Sequence, residues 1–385
     1  MTKHLLTVQQ YCKQMVQFFC IFAGLTSYWY DYKRAQFRRN MLTRLMLVTV
    51  NIAALAVIIH EDRRFLMNLK EKAVNPVLKY MATSRFFIIL LPPMFTFGQI
   101  LLSDSKLIEL KQRLQSLEME SHTKLVHCKS IERNIGQLYY LKWLLTAFIY
   151  CMLVYRNMIE GEWWSMSILY VNMIFLSTSW MFQYFQVLAK ICRLCQYFDK
   201  HLQKLVGEIT NNWNAMDADK EHGLCFETYW LRSKHFELCR LWQELEALSK
   251  WLIFFKRLVS LISIGMHIYM AIAELQFFSI VSLIMYDLSD FLPEMLDFYL
   301  NDYLCDLAKK TFADLQLTIG ALNIMDSTQP KLSREFDVFS LYLCYEKLKF
   351  QLAAPLKLGR QTWFAMMSAI ATWAIVLGQA HMSAA

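Results

Sequence analysis

The chain has 385 residues, of which 56% are hydrophobic and 19% charged, and a formal net charge of +8. Soluble domains carry roughly 25% charged residues, and with 10 Gly and 6 Pro the chain is poor in turns and rich in long elements, which excludes a turn-rich fold. The composition predicts an all-α polytopic membrane protein with its aromatic residues gathered at the two interfaces.

The stretch MVQFFCIFAGL (15–25) is apolar, but YWYDYKRAQFRR follows it with no small-residue cleavage site. Residues 5–30 therefore read as a helix at the inner membrane surface, within a cytoplasmic N-terminal segment 1–40. Seven segments are long enough to span about 30 Å at 1.5 Å per residue. They lie near 41–60, 80–103, 138–158, 164–189, 251–272, 275–298 and 361–380. The first six fall within 41–300, and the seventh within 361–385. Pro92 and Pro93 predict a kink in the second. Between the spans, 104–137 and 190–250 read as cytoplasmic helical extensions, with apolar residues at three- and four-residue spacing and charges between. NNWNAMDADKEHG (211–223) is the turn in the longer one. Residues 301–360 form a further cytoplasmic segment.

Lys and Arg set the orientation. With the N-terminus inside, the inner side carries 30 of them and the outer side 6, which predicts a cytoplasmic N-terminus and an extracellular C-terminus. Arg85, Lys142, Lys256 and Arg257 sit within spans. The outer loops are tiny, so a ligand has to enter among the helices. No basic run alternates with exposed aromatics, so nucleic acid is not an expected partner.

Enzyme chemistry finds no foothold: no P-loop, Gly-rich dinucleotide turn, HExxH or nucleophile elbow occurs. Cys192 and Cys195 make one CxxC. Zinc would need two more ligands, from Cys239 or His235, and inert helix thiols are the preferred reading. No metal or cofactor is expected. The ten cysteines are scattered and no Asn-X-Ser/Thr acceptor occurs, which argues against a disulfide-stapled ectodomain.

The sixth span carries Asp287, Asp290, Glu294 and Asp297 on one helical face. At mid-bilayer each would cost roughly 2.5–3.5 kcal/mol, so the face has to meet water, a base or another acid. One reading is a vestibule that concentrates cations; the other pairs these acids with Lys309, Lys310 or Lys347. For a ligand pocket, the outer halves of the spans offer Phe87, Tyr150, Tyr155, Trp164, Tyr170, His267, Tyr269 and Phe277. Such a cage suits a flat or cationic small molecule, while Trp and Tyr also belong to the interfacial belt.

The C-terminal TWAIVLGQA (372–380) resembles the signature of the insect chemoreceptor superfamily, which reads Thr-Tyr, five apolar residues, then Gln-Phe. Thr372 and Gln379 match; Trp373 stands for Tyr and Ala380 for Phe. Upstream, FQLAAPLKLGRQTWF (350–364) is similar to the family's Phe-Thr-Ala-x-Gly-Leu-Phe-x-Leu-Asp/Asn-Arg run. Phe350, Ala353, Leu358 and Arg360 hold their places while Pro355 departs. FAGLTSYWYDYKRAQF (22–37) resembles the family's Gly-Leu-Thr…Tyr-Asp segment. The small outer loops and the C-terminal motif look gustatory rather than olfactory.

The resemblance implies a tetrameric, ligand-gated, non-selective cation channel in the plasma membrane of sensory neurons. It implies small tastants, bitter or otherwise repellent, as ligands, homo- or heteromeric partners, and an anchor in the cytoplasmic parts that include 301–360. The last span would line the pore, with Gln379 as its polar ring and Ala380 in the place of the hydrophobic gate. Since Ala380 cannot fill a constriction, the gate would shift to Val376 or Leu377, the subunit would leak, or a partner would supply the bulk. A seven-helix G-protein-coupled receptor is the alternative from another class, though it lacks the Asp/Glu-Arg-Tyr and Asn-Pro-x-x-Tyr motifs. An olfactory-type subunit of the same superfamily is a further one. A transporter would show two matching halves, and no internal repeat occurs.

Overall fold

The computed structural model describes the backbone over 14–384, apart from 16, 32–33, 35, 72–75, 126–127, 160–163, 213–217, 275–279, 323–329 and 346–358. Within helices, the side chains of 61–62, 64–71, 76–89, 156–159, 164–167, 170, 212, 265–274, 280–291, 320–322, 330, 344–345, 374, 377–378 and 380–384 are also outside the described set.

The described residues are helical almost throughout. After a helical segment that ends at Phe22, a hairpin of β1 (Tyr28–Asp31) and β2 (Gln36–Arg39) precedes α1 (Met41–Glu71) and α2 (Pro76–Lys124). Then come α3 (Lys129–Ile159), α4 (Trp164–Asn212), α5 (Ala218–Glu274), α6 (Ile280–Leu322), α7 (Pro330–Tyr345) and α8 (Arg360–Ala384). At 1.5 Å per residue, the 49 residues of α2 and of α4 run roughly 70 Å, and the 57 of α5 roughly 85 Å. These lengths are more than twice a bilayer's apolar core. Spans and extensions are therefore single rods, and α2 runs unbroken through Pro92 and Pro93. The segment 104–137 is divided between two rods, because α2 ends at Lys124 and α3 begins at Lys129.

The helix expected over 5–30 stops early for a local reason. Gly24 sits at φ +67°, a left-handed turn open to Gly, and a Cβ there would lie 2.9 Å from Asn51 Nδ2. Asn51 uses that nitrogen to donate to the Gly24 carbonyl at 2.8 Å. Tyr28 then pairs with Arg39 and Asp31 with Gln36 across the antiparallel hairpin. Ile21, Ala23, Leu25 and Tyr28 are buried, whereas Phe18 and Phe22 are exposed. The Tyr28 hydroxyl donates to Gln183 and accepts from Lys111; Ser27 donates to Asp104. Burial lifts the Asp104 carboxyl to about 6 against the pull of Arg39 and Lys111, and lowers Lys111 to about 7. Asn40 caps α1, its side chain accepting from Leu42 N–H while its own N–H bonds Thr43 Oγ1.

The core is built around α4, which meets α1, α2, α3, α5 and α6. Tyr184, Leu188, Ile191, Cys195, Phe198, Leu202, Leu205 and Ile209 are all buried on it, in steps of three and four. Each such side chain contributes about 1.5–3 kcal/mol on leaving water. The largest cluster joins this stripe to Leu238, Trp242, Phe298, Leu304 and Phe339. Among the described residues, the core is thus massed in the extensions. His235 lies inside it, stacked on Phe312 with centroids 5.3 Å apart, and burial pushes its pKa down to about 4.

Candidate functional site

The lower end of α8 is tied into this core, and its upper part is not. Gly359 precedes the helix, and its carbonyl accepts from Thr362 and Trp363 at 3.0 and 3.3 Å, which makes it the N-cap. A glycine has no side chain to bond the first free N–H groups, and α6 supplies two carboxylates instead. Asp302 accepts from Gly359 N–H at 3.3 Å and Asp306 from Arg360 N–H at 2.9 Å. The Arg360 Nε also donates to Asp306, at 3.2 Å. Asp302 and Asp306 lie one turn apart, so one face of α6 caps α8, and negative charge there suits the positive end of the helix dipole. Gly359 adopts φ +154°, and a Cβ on it would meet Asp306 Oδ1 at 2.7 Å. One turn on, Trp363 Nε1 donates to the Met295 carbonyl at 2.9 Å, and Met366 and Ile370 are buried.

Asp302 is also the end of a buried polar seam. Arg257 on α5 donates to it at 2.5 Å, with side chains 1% and 0% exposed. One turn up α6, Lys142 of α3 is ion-paired with Asp297, both buried. Ser260 donates to Glu294 at 2.8 Å, and Lys256 to Thr178 at 2.9 Å. Burial lifts the Asp302 carboxyl above its ordinary range, while the Arg257 guanidinium and the Gly359 N–H pull the other way. Each charge removed from water is held by an opposite one or a hydroxyl, as burial demands.

This arrangement corrects the expected partners of the acidic face. Asp297 meets Lys142 rather than Lys309 or Lys310, and at 1% exposure it lines no water-filled vestibule within the subunit. Glu294 meets a serine, and Lys309 lies 3.9 Å from Asp306. The side chains of Asp287 and Asp290, and Lys347 as a whole, lie outside the described residues. The reason is register: Asp297 falls inside the helix bundle, opposite the one lysine that α3 carries in its apolar stretch. Asp302, Asp306 and Gly359 were missed as a cap; the signal was present in Arg257, one of the four cations placed within spans, which needs a nearby acid.

Above Ile370 every described side chain of α8 is exposed. Trp373 stands at 55%, Ile375 at 61% and Val376 at 49%, and Thr372 and Gln379 are exposed with them. At about 100° per residue, Thr372, Val376 and Gln379 share one stripe, roughly 130° round the helix from the stripe of Met366 and Ile370 that enters the core. Leu377 and Ala380 have their side chains outside the described residues.

Of the aromatic cage, Tyr150 and Tyr155 are described. Tyr150 packs edge-on against Phe175 and Phe19, at 4.9 and 5.8 Å, and Tyr155 is exposed. Phe87, Trp164, Tyr170, His267 and Tyr269 have undescribed side chains, and Phe277 lies outside altogether. Cys192, Cys195 and Cys239 are buried thiols, and the described residues contain no cluster of three or more His, Cys, Asp or Glu suited to a metal.

A sequence comparison with curated proteins finds no match. Among solved structures, the chain is similar to the insect olfactory receptor OR5 from Machilis hrabei, with a TM-score of 0.67 and 11% identity over 97% of this chain and 99% of that one. The structure of the same receptor in complex with eugenol matches at a TM-score of 0.66 and 11% identity, over 96% and 98%. At that identity the likeness establishes the seven-helix membrane fold. A family model described as a 7tm chemosensory receptor matches residues 15–384. With that match over nearly its whole length, the chain belongs to the 7tm chemosensory receptor family.

Proposed function

We propose that this chain is one subunit of a ligand-gated, non-selective cation channel of the gustatory type, in which α8 of each copy faces a shared central pore. The observation that carries the reading is the split of α8. Its base is capped and buried, while Thr372, Val376 and Gln379 project on the side away from the subunit's own core. A helix anchored at one end and bare along the other is placed to meet copies of itself. A ring of Gln379 amides would replace part of a cation's hydration shell and discriminate weakly among cations. Val376 shares the stripe of Gln379, so it is the side chain that takes over the gate where Ala380 lacks the bulk.

The assembly is a homo- or heterotetramer in the plasma membrane of a sensory neuron, with the N-terminus inside and the C-terminus outside, as the 30-to-6 distribution of Lys and Arg supports. Small-molecule detection is supported by a fold that holds eugenol in OR5. A bitter or other repellent tastant suits the aromatic outer halves.

Epitope tags at both ends, read on intact and then permeabilised cells, test the orientation. Tastant-evoked currents from cells expressing this chain, alone and with candidate partner subunits, test the channel. An exposed N-terminus with a hidden C-terminus would overturn the pore role of Gln379 and turn attention to G-protein assays.

A further inference from the structure

A groove of about 900 Å³ runs between α2 and α5. Its position follows from the sequence of both walls. Along α2 the apolar MFTFGQILL (94–102) gives way to the charged SDSKLIELKQR (103–113). Along α5 the order is reversed, from RLWQELEALSK (240–250) to WLIFF (251–255). The two transitions meet at one height, where Gln99 Nε2 donates to the Leu248 carbonyl. That height is a membrane boundary, and Trp251, the first residue of the apolar run on α5, stands where an interfacial aromatic belongs.

The groove is two-faced along the same axis. Its apolar wall exposes Met94 at 48%, Leu102 at 84% and Trp251 at 46%. Its polar end carries three cations against two carboxylates. Arg113 pairs with Glu244 and, at 3.9 Å, with Glu109; Arg240 lies 3.3 Å from Glu244. Lys106 has no ion-pair partner among the described residues and stands between that pair network and the apolar wall. Gly98 keeps the middle open, since a Cβ there would meet nothing within 4 Å.

We infer that this groove binds an anionic phospholipid of the adjacent leaflet. An acyl chain lies along Met94, Leu102 and Trp251, and the phosphate sits at Lys106, within reach of the arginines. Charge complementarity selects this occupant: an uncharged amphiphile or a purely apolar segment of a second copy would leave Lys106 unmatched at the edge of the bilayer. The site is on the hairpin's side of the membrane, since Asp104, which meets Ser27 and Arg39 of the hairpin region, lies on the same part of α2. That this is the inner leaflet rests on the orientation proposed above; the site itself does not.

The test uses purified full-length protein in detergent, titrated with phosphatidylserine and, separately, with phosphatidylcholine. Bound lipid is read by native mass spectrometry and by thermal unfolding. Phosphatidylserine should bind several-fold more tightly and raise the unfolding temperature. Lys106→Glu should weaken it about tenfold or more, by the usual worth of a basic residue against an anionic lipid surface. Gly98→Trp, which fills the groove and leaves its charges alone, should weaken both lipids. Equal binding of the two lipids, or indifference to both variants, overturns the inference. So does a Leu102→Cys variant that cross-links copy to copy in the assembled protein, because the groove would then be a subunit contact. No current is recorded, so a lipid preference in a protein that conducts nothing would sink the channel reading and leave this one standing.

Discussion

The two halves of α8 are held in opposite ways. Residues 359–370 are fixed by two carboxylates from α6, an indole hydrogen bond and two buried side chains. Residues 371–379 present exposed side chains wherever they are described. The lower half is specified by its own chain, so substitutions there should register as lost stability. The described side chains of the upper half are all exposed, so substitutions there should register in assembly and conduction.

The sharpest way to break that comparison is to remove the anchor. Asp302→Ala strands Arg257 in a buried setting and takes a cap from Gly359, and should cost about 3–5 kcal/mol. Thermal unfolding in detergent and delivery to the cell surface measure it. The paired change Arg257→Met with Asp302→Leu should recover most of the loss, because no charge is then left buried alone.

Next comes pH. His235 is buried in the same packed region, and its folded pKa is pushed from 6.5 to about 4. A depressed pKa means that its contribution is complete above 6.5 and is lost as pH falls through 4. Integrated over that window it amounts to about 3 kcal/mol. His235→Phe should flatten the acid limb of the stability curve and leave pH 7 little changed. An unaltered slope would show that acid sensitivity resides elsewhere.

Gly359→Ala should cost about 1–3 kcal/mol, since both the backbone angle and the Asp306 carboxylate oppose a Cβ. Smallest in stability is Gln379→Leu, expected to stay within about 0.5 kcal/mol. In recordings, however, it should alter the relative permeability of cations. If Gln379→Leu unfolds the subunit as Asp302→Ala does, the free half is not free.

Much of this was legible in the sequence. Periodicity of three and four found the rods, the number of long apolar segments found the seven-helix fold, and the C-terminal signature found the helix that divides in two. Partners across the fold were not legible. Lys142 and Asp297 are 155 residues apart, and spacing rules reach only the next turn of the same helix. Of the acids in the sixth span, Asp297 meets Lys142 and Glu294 meets Ser260, and which acid faces inward depends on how α3 and α6 cross. The helix assigned to 5–30 failed at Gly24, because an aromatic, apolar run fits a surface helix and a tucked strand equally well. The groove escaped for the same reason as the ion pairs: its walls are ordinary amphipathic transitions until α2 and α5 are laid side by side.

The tucked hairpin sets an order of events during synthesis. Tyr28 is made well before its partner, since its hydroxyl bonds Gln183, which is 155 positions later. At about 5–20 residues per second, the ribosome needs about 8–30 s to deliver that partner. Throughout this wait Leu25, Tyr28 and the exposed phenylalanines around them have no finished bundle to enter. The nascent segment must be sheltered by the membrane surface or by a chaperone until α4 emerges. Delay in inserting α2 or α4 would then leave the hairpin segment open to misfolding for longer.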